Sequence, residues 1–168
     1  MKLLAVCVLV FSVMAQTRAD PIPDDGSPDP VVVAMSPSCP IGWSLINNRC
    51  FQYVTRSMTW AGAEKNCLSM GANLASVHDM NEYRQVQSVI TMATYGSGRT
   101  WIGGTNAQET RVWFWSDGSP LRYTNWCPGE PNNYGGYQHC LQMNYSDEKC
   151  WDDETCSVRL PSVCAKKV

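Results

Sequence analysis

The chain is 168 residues long with a formal net charge of −2, thirteen Lys and Arg against fifteen Asp and Glu, which suits one core with appendages rather than two full domains. Setting aside Lys2, Arg18 and the aspartates Asp20, Asp24, Asp25 and Asp29 leaves eleven charges of each sign. The remainder is formally neutral and lacks the clustered Lys and Arg that binding to nucleic acid or to an anionic membrane surface requires.

At the N-terminus, Lys2 precedes an apolar run from Leu3 to Ala15, with small residues at Ala15 and Ala19. That order predicts a secretory signal peptide over residues 1–19, with cleavage after one of the two alanines. The run falls short of the roughly 20 apolar residues of a spanning helix, and Gln16, Thr17 and Arg18 interrupt it, so no membrane insertion is expected. The product is expected to be secreted and extracellular, with Cys7 discarded. Residues 20–38, DPIPDDGSPDPVVVAMSPS, hold five prolines and four aspartates and offer little that packs, which reads as a propeptide or spacer.

From Cys39 to the end the chain has the texture of a folded domain. Trp43 and the stretch Cys50–Val54 predict a short hairpin, with Asn47 and Asn48 in its turn. Residues 58–69 predict a first helix: Ala61, Ala63, Glu64 and Lys65 favour it, and Gly71 suits the left-handed position beyond its end. Asp79 and Glu82 form a capping-box pattern ahead of a second helix, and Tyr83, Val86 and Ile90 give that helix an apolar face. After Ile90 the sequence turns to Gly, Trp, Tyr, Asn and Pro with short apolar runs, predicting strands separated by long loops.

Removing Cys7 from the nine cysteines leaves eight, at 39, 50, 67, 127, 140, 150, 156 and 164. An even set in a secreted chain implies disulfides, although spacing alone leaves the pairing open. No Cys-x-x-Cys occurs, and His78 and His139 are too few and too scattered for a zinc finger. Nor does either histidine have a nucleophile motif near it, so an enzyme is not expected.

The segments Glu130-Pro131-Asn132 and Trp151-Asp152-Asp153 concentrate three carboxylates and an amide oxygen among four of those cysteines. A hard cation such as Ca²⁺, which takes roughly 6 to 8 oxygen ligands at about 2.3 to 2.6 Å, needs such a donor set. A site assembled from loops also leaves coordination positions open, which paired sugar hydroxyls can fill.

Six ordered motifs then carry a resemblance: Cys39-Pro40-x-Gly42-Trp43, Trp60-x3-Glu64-x2-Cys67, Gly71-Ala72-Asn73-Leu74-Ala75-Ser76, Trp101-Ile102-Gly103-Gly104, Trp113-x-Trp115-Ser116-Asp117-Gly118 and Cys150-Trp151-Asp152-Asp153. Over residues 39–168 the chain resembles a C-type lectin-like domain, and within that family the secreted fish lectins related to type II antifreeze proteins. The resemblance implies an α+β fold of two helices plus short antiparallel sheets, a long calcium-binding loop region and disulfide staples. It implies the pairs Cys39–Cys50, Cys67–Cys164 and Cys140–Cys156, and in the fish proteins Cys127–Cys150. An extra bridge of the antifreeze branch is missing, because His139 stands where that branch has a second cysteine beside Cys140. A cis peptide before Pro131 is also implied.

Carried over residue by residue, the family's calcium ligands fall on Glu130, Asn132, Gln138, Asp152 and Asp153. Two of these depart from the usual pattern: Gln138 stands where the family mostly has Glu, and Asp152 where it mostly has Asn. The exchange conserves charge, but an ionised Asp152 can only accept hydrogen bonds, so the pose or affinity of a bound sugar is expected to differ from that in a standard mannose-type site. The sugar is expected to touch Glu130, Asn132, Gln138 and Asp152, with Tyr134 and Tyr137 beside them. The tryptophans are expected to serve the core.

The resemblance thus implies a secreted calcium-dependent lectin for mannose-type sugars on cells or microbes, in innate defence, with a homo-oligomer as an open question. A galactose-type or calcium-independent lectin and an ice-binding protein are the alternatives. Asn144-Tyr145-Ser146 is a candidate glycosylation sequon.

Overall fold

The computed structural model describes residues 38–168. The expected signal peptide, with Cys7, and all but the last residue of the expected spacer lie outside the described residues.

The domain opens with strands β1 (Ser44–Ile46) and β2 (Arg49–Met58), paired antiparallel from Ile46 opposite Arg49. Asn47 and Asn48 close the turn at φ 47° and 60°, the left-handed pair that a two-residue hairpin loop demands and that Asn tolerates better than most residues. Helix α1 (Trp60–Ser69) starts at Thr59, whose hydroxyl accepts from the Gly62 amide. It stops at Gly71, whose φ of +66° favours glycine. After β3 (Asn73–Leu74) comes α2 (Met80–Thr94), capped by the Asp79 carboxylate accepting from Glu82 N at 2.7 Å.

Only half of the expected capping box forms. The Glu82 carboxylate does not return to the cap amide; it accepts from His78 N at 2.8 Å and pairs with Arg49 of β2 at 3.0 Å. Glu82 is 2 % exposed, and a buried carboxylate next to a guanidinium gains more from that cation than from a backbone amide.

Strands β4 (Thr100–Thr105), β5 (Phe114–Trp115), β6 (Gln138–Tyr145), β7 (Cys150–Thr155) and β8 (Leu160–Lys167) follow, with one 3₁₀ turn at Tyr134–Gly136. They join one sheet in the order β1-β2-β8-β4-β6-β7, with β3 on β8 and β5 on β4. The sheet is mixed rather than wholly antiparallel, because β4 meets β8 in parallel at Trp101 and Ser162.

Two apolar clusters hold the sheet and helices together. Tyr83, Val86, Val89 and Ile90 of α2 pack on Phe51, Ile102, Leu141 and Trp151, while Ala63 and Cys67 of α1 pack on Leu74, Trp101 and Leu160. Each large side chain fully buried in this way contributes about 1.5–3 kcal/mol. Four disulfides staple the framework: Cys39–Cys50, Cys67–Cys164, Cys127–Cys150 and Cys140–Cys156.

Trp101, Trp115 and Trp151 are fully buried. Trp151 sits at the centre of an aromatic cluster, edge-on to Trp115, Tyr123 and Trp126 at centroid distances of 5.6, 5.5 and 5.8 Å. That cluster fixes the strand on which the two aspartates stand.

Candidate calcium site

Strand β7 carries Trp151-Asp152-Asp153, and its register against β6 sets Gln142 opposite Asp152 and Leu141 opposite Asp153. The long loop ahead of β6 is brought to the same strand by backbone bonds, Trp151 N to Asn125 O at 2.7 Å and Cys127 N to Trp151 O at 2.8 Å, and by the Cys127–Cys150 disulfide. Glu130 N then donates to Cys127 O, and the Glu130–Pro131 peptide is cis. Glu130 thereby arrives beside Asp152 and Asp153, and one carboxylate oxygen from each lies within 4.8 Å of the other two.

Asp153 organises the turn. Its two oxygens accept from Asn132 N at 2.9 Å and Asn133 N at 2.8 Å. Asn132 also donates through Nδ2 to Glu130 Oε1 at 2.9 Å, and its Oδ1 accepts from Tyr134 N. Asp152 is 4 % exposed, and its Oδ2 accepts from Gln142 Nε2 at 2.6 Å.

Three acids this close cannot all carry full charge without a counterion. Burial pushes the Asp152 carboxyl from 3.8 up to about 7, against the pull of the Gln142 amide and with the Glu130 and Asp153 carboxylates adding to the rise. Glu130 is also raised from its ordinary value, by burial first and then by Asp153. In the ion-free chain, therefore, Asp152 holds a proton for part of the time near neutral pH.

The donor set fits calcium. Three oxygens each within 4.8 Å of the others can all lie within about 2.8 Å of one central point, and a contraction of a few tenths of an ångström reaches the Ca–O range of about 2.3 to 2.6 Å. Their negative charge matches a hard divalent cation, and the exposed loop side leaves room for further oxygen ligands.

Of the five residues expected at the ion, Glu130, Asp152 and Asp153 converge and Asn132 is hydrogen-bonded to two of them. Gln138 is tied elsewhere: its Oε1 accepts from Tyr134 N at 2.7 Å and its backbone N–H donates to Asn133 Oδ1. Among the described residues no hydrogen bond joins it to the acids. Tyr134 and Tyr137 are exposed on the same loop.

The sequon expectation is corrected. Asn144 is 2 % exposed and its Nδ2, the atom a glycan would occupy, donates to Gly98 O, while Oδ1 accepts from Gln87. The folded strand does not present it. Two residues were missed from sequence. Gln142 becomes Asp152's partner only through the β6–β7 register, which shifts by one residue between Tyr145 and Gln142, so a plain count outward from the turn at 146–149 would set Met143 there instead. Asn133 links Asp153 to Gln138 through backbone geometry at a φ of 45°, for which Asn is the only sequence signal.

Neither histidine lies at the acids. His139 Nδ1 is 2.9 Å from Asn106 Oδ1, and His78 Nε2 is 3.1 Å from the buried Ser76 hydroxyl, which donates to the Asp117 carboxylate.

Residues 56–166 match the sequence profile described as Lectin C-type domain. Ladderlectin of Oncorhynchus mykiss is 46% identical over 129 residues, covering 77% of this chain and 68% of that protein. Galactose-specific lectin nattectin of Thalassophryne nattereri is 38% identical, covering 78% and 82%. A solved structure described as a Ca²⁺-dependent type II antifreeze protein in its Ca²⁺-free form superposes with a TM-score of 0.72 at 36% identity, covering 77% of this chain and 100% of that one.

Proposed function

The chain belongs to the C-type lectin domain family, and from that premise we propose that it is a secreted lectin whose sugar ligand is held by a calcium ion at Glu130, Asn132, Asp152 and Asp153. Residues 1–19 act as the signal peptide, residues 20–38 as a spacer or propeptide, and residues 39–168 as the binding domain. The observation that carries this reading is the convergence of three carboxylates with the Asn132 amide on a loop pinned to β7. Bound calcium neutralises the acids and offers open coordination positions to a pair of vicinal sugar hydroxyls.

Around that ion Glu130 accepts, and Asn132 donates, the hydrogen bonds that fix the sugar's orientation. Gln138 joins by rotating its carbonyl from the Tyr134 amide. Tyr134 and Tyr137 supply apolar faces against which a ring packs. The Glu130-Pro131-Asn132 triplet favours equatorial hydroxyl pairs, as on mannose and N-acetylglucosamine, on the surfaces of cells or microbes. Galactose is the competing sugar, since one relative is named a galactose-specific lectin.

Ice binding is the second reading, favoured by the likeness to a type II antifreeze protein. Glycan-array binding in calcium and in chelator, with thermal hysteresis on the same sample, separates the two. Chelator-sensitive sugar binding without hysteresis supports the lectin. Hysteresis without sugar binding overturns it.

A further inference from the structure

Beside the acids, on the side of the Asn106–Trp113 loop, lies a cavity of about 460 Å³ lined by Asn106, Thr110, Arg111, Trp113, Asn133 and Asp153, with the Pro131–Asn132 turn at its edge. Its size is within the range of small-ligand sites, about 300–1,000 Å³. With one carboxylate and one guanidinium in its wall, it is not a second cation site.

The cavity's hydrogen-bonding capacity is lopsided. Its carboxylate and these amide oxygens are engaged: both Asp153 oxygens accept backbone amides, Asn133 Oδ1 accepts from Gln138 N, and Asn132 Oδ1 accepts from Tyr134 N, which leaves the Thr110 hydroxyl as the side-chain acceptor without a partner. Its donors are not. Among the described residues Arg111 makes no hydrogen bond or ion pair, and Asn106 and Asn133 leave their Nδ2 groups without partners. Trp113 also lines the wall, but its Nε1 is sealed from solvent and is not among the donors a ligand can reach. A guanidinium and two amide groups with donors to spare, beside a carboxylate and amide oxygens already engaged, are matched best by a ligand group that only accepts. A sugar hydroxyl, which brings a donor with each acceptor, is a poorer match than a carboxylate or a sulfate ester, and a guanidinium binds both of those in fork geometry.

We propose that this cavity is a subsite for an acidic unit of the glycan, a carboxylate or sulfate ester on or next to the sugar held at the ion, and that Arg111 is the residue that selects it. The inference rests on the calcium-lectin reading above. With the ion in place the Asp153 charge is neutralised, so the acid group meets the guanidinium and the amide donors without opposition from that carboxylate.

The test compares neutral sugars with their acidic counterparts on the full secreted chain in calcium: N-acetylglucosamine with its 6-sulfate, and lactose with 3′-sulfated and 3′-sialylated lactose. At least one acidic form is expected to bind about tenfold more tightly than its neutral parent, the gain of one charge-assisted contact. Arg111→Gln should erase that gain and leave the neutral parent unchanged, and Arg111→Lys should keep part of it. Arg111 is exposed, so neither change threatens the fold. A preference for sulfate alone or for the sialic carboxylate alone identifies the acid. Neutral binding with no acidic preference, or a preference that survives Arg111→Gln, overturns the subsite and leaves the lectin reading standing. No binding by any sugar overturns both.

Discussion

Replacing Asp152 by Asn should make the ion-free domain more stable, not less, while weakening its hold on calcium. Asp152 is 4 % exposed, and its carboxyl pKa in the folded chain is raised from 3.8 to about 7. Between those values the native state holds a proton that the unfolded chain has released, so stability falls as pH rises through the window and levels off above about 7. The rise corresponds to about 4 kcal/mol at full ionisation, and screening through the exposed rim of the loop reduces it to about 2 kcal/mol. Asp152→Asn removes that cost. It also retains an oxygen for Gln142 Nε2. For a domain of this size about 2 kcal/mol moves Tm by about 8 °C. Thermal unfolding in chelator from pH 4 to 8 should show the two forms equal at pH 4 and the variant ahead by about that amount at pH 8. A variant less stable than wild type at pH 8, or a difference that does not change with pH, would refute the reasoning.

Three further outcomes are expected. Gln138→Glu keeps an acceptor for Tyr134 N and adds a fourth carboxylate, so in a calorimetric titration it should tighten calcium binding while lowering Tm in chelator; weaker binding would mean position 138 does not reach the ion. Gly104→Ala places a Cβ 2.5 Å from Leu141 Cδ1 and 2.8 Å from Leu141 Cβ, overpacking that costs about 1–3 kcal/mol, which a fall in Tm in either buffer would register and an unchanged Tm would deny. Intact mass of the chain from a glycosylating secretory host should show Asn144 bare, and a glycan there would mean that the strand is modified before β6 pairs.

Local chemistry was the legible part of this fold. The Asn47-Asn48 turn, the end of α1 at Gly71 and the apolar face of α2 each depend on backbone preference or spacing within a few residues. Glu82 was misjudged because its best partner, Arg49, sits on a strand thirty-three residues away. At the site, the acids were legible because oxygen-rich clusters are scarce and chemically distinctive. What surrounds them was not: Gln142 reaches Asp152 only through strand register, and Asn144 looked available because a sequon carries no information about burial. The donor excess around Arg111 arises from backbone amides saturating Asp153 and Asn133, a pattern that no side-chain motif announces.

The central claim is that Glu130, Asp152 and Asp153 hold one calcium ion, and calorimetric titration of chelator-stripped full-length chain at neutral pH tests it most directly. One ion should bind per chain with release of protons, since calcium displaces the proton that the raised Asp152 carboxyl holds for part of the time near neutral pH. The heat should therefore vary with the ionisation enthalpy of the buffer, and Asp153→Ala should abolish the binding. No saturable calcium binding, or binding that survives Asp153→Ala unchanged, would contradict it.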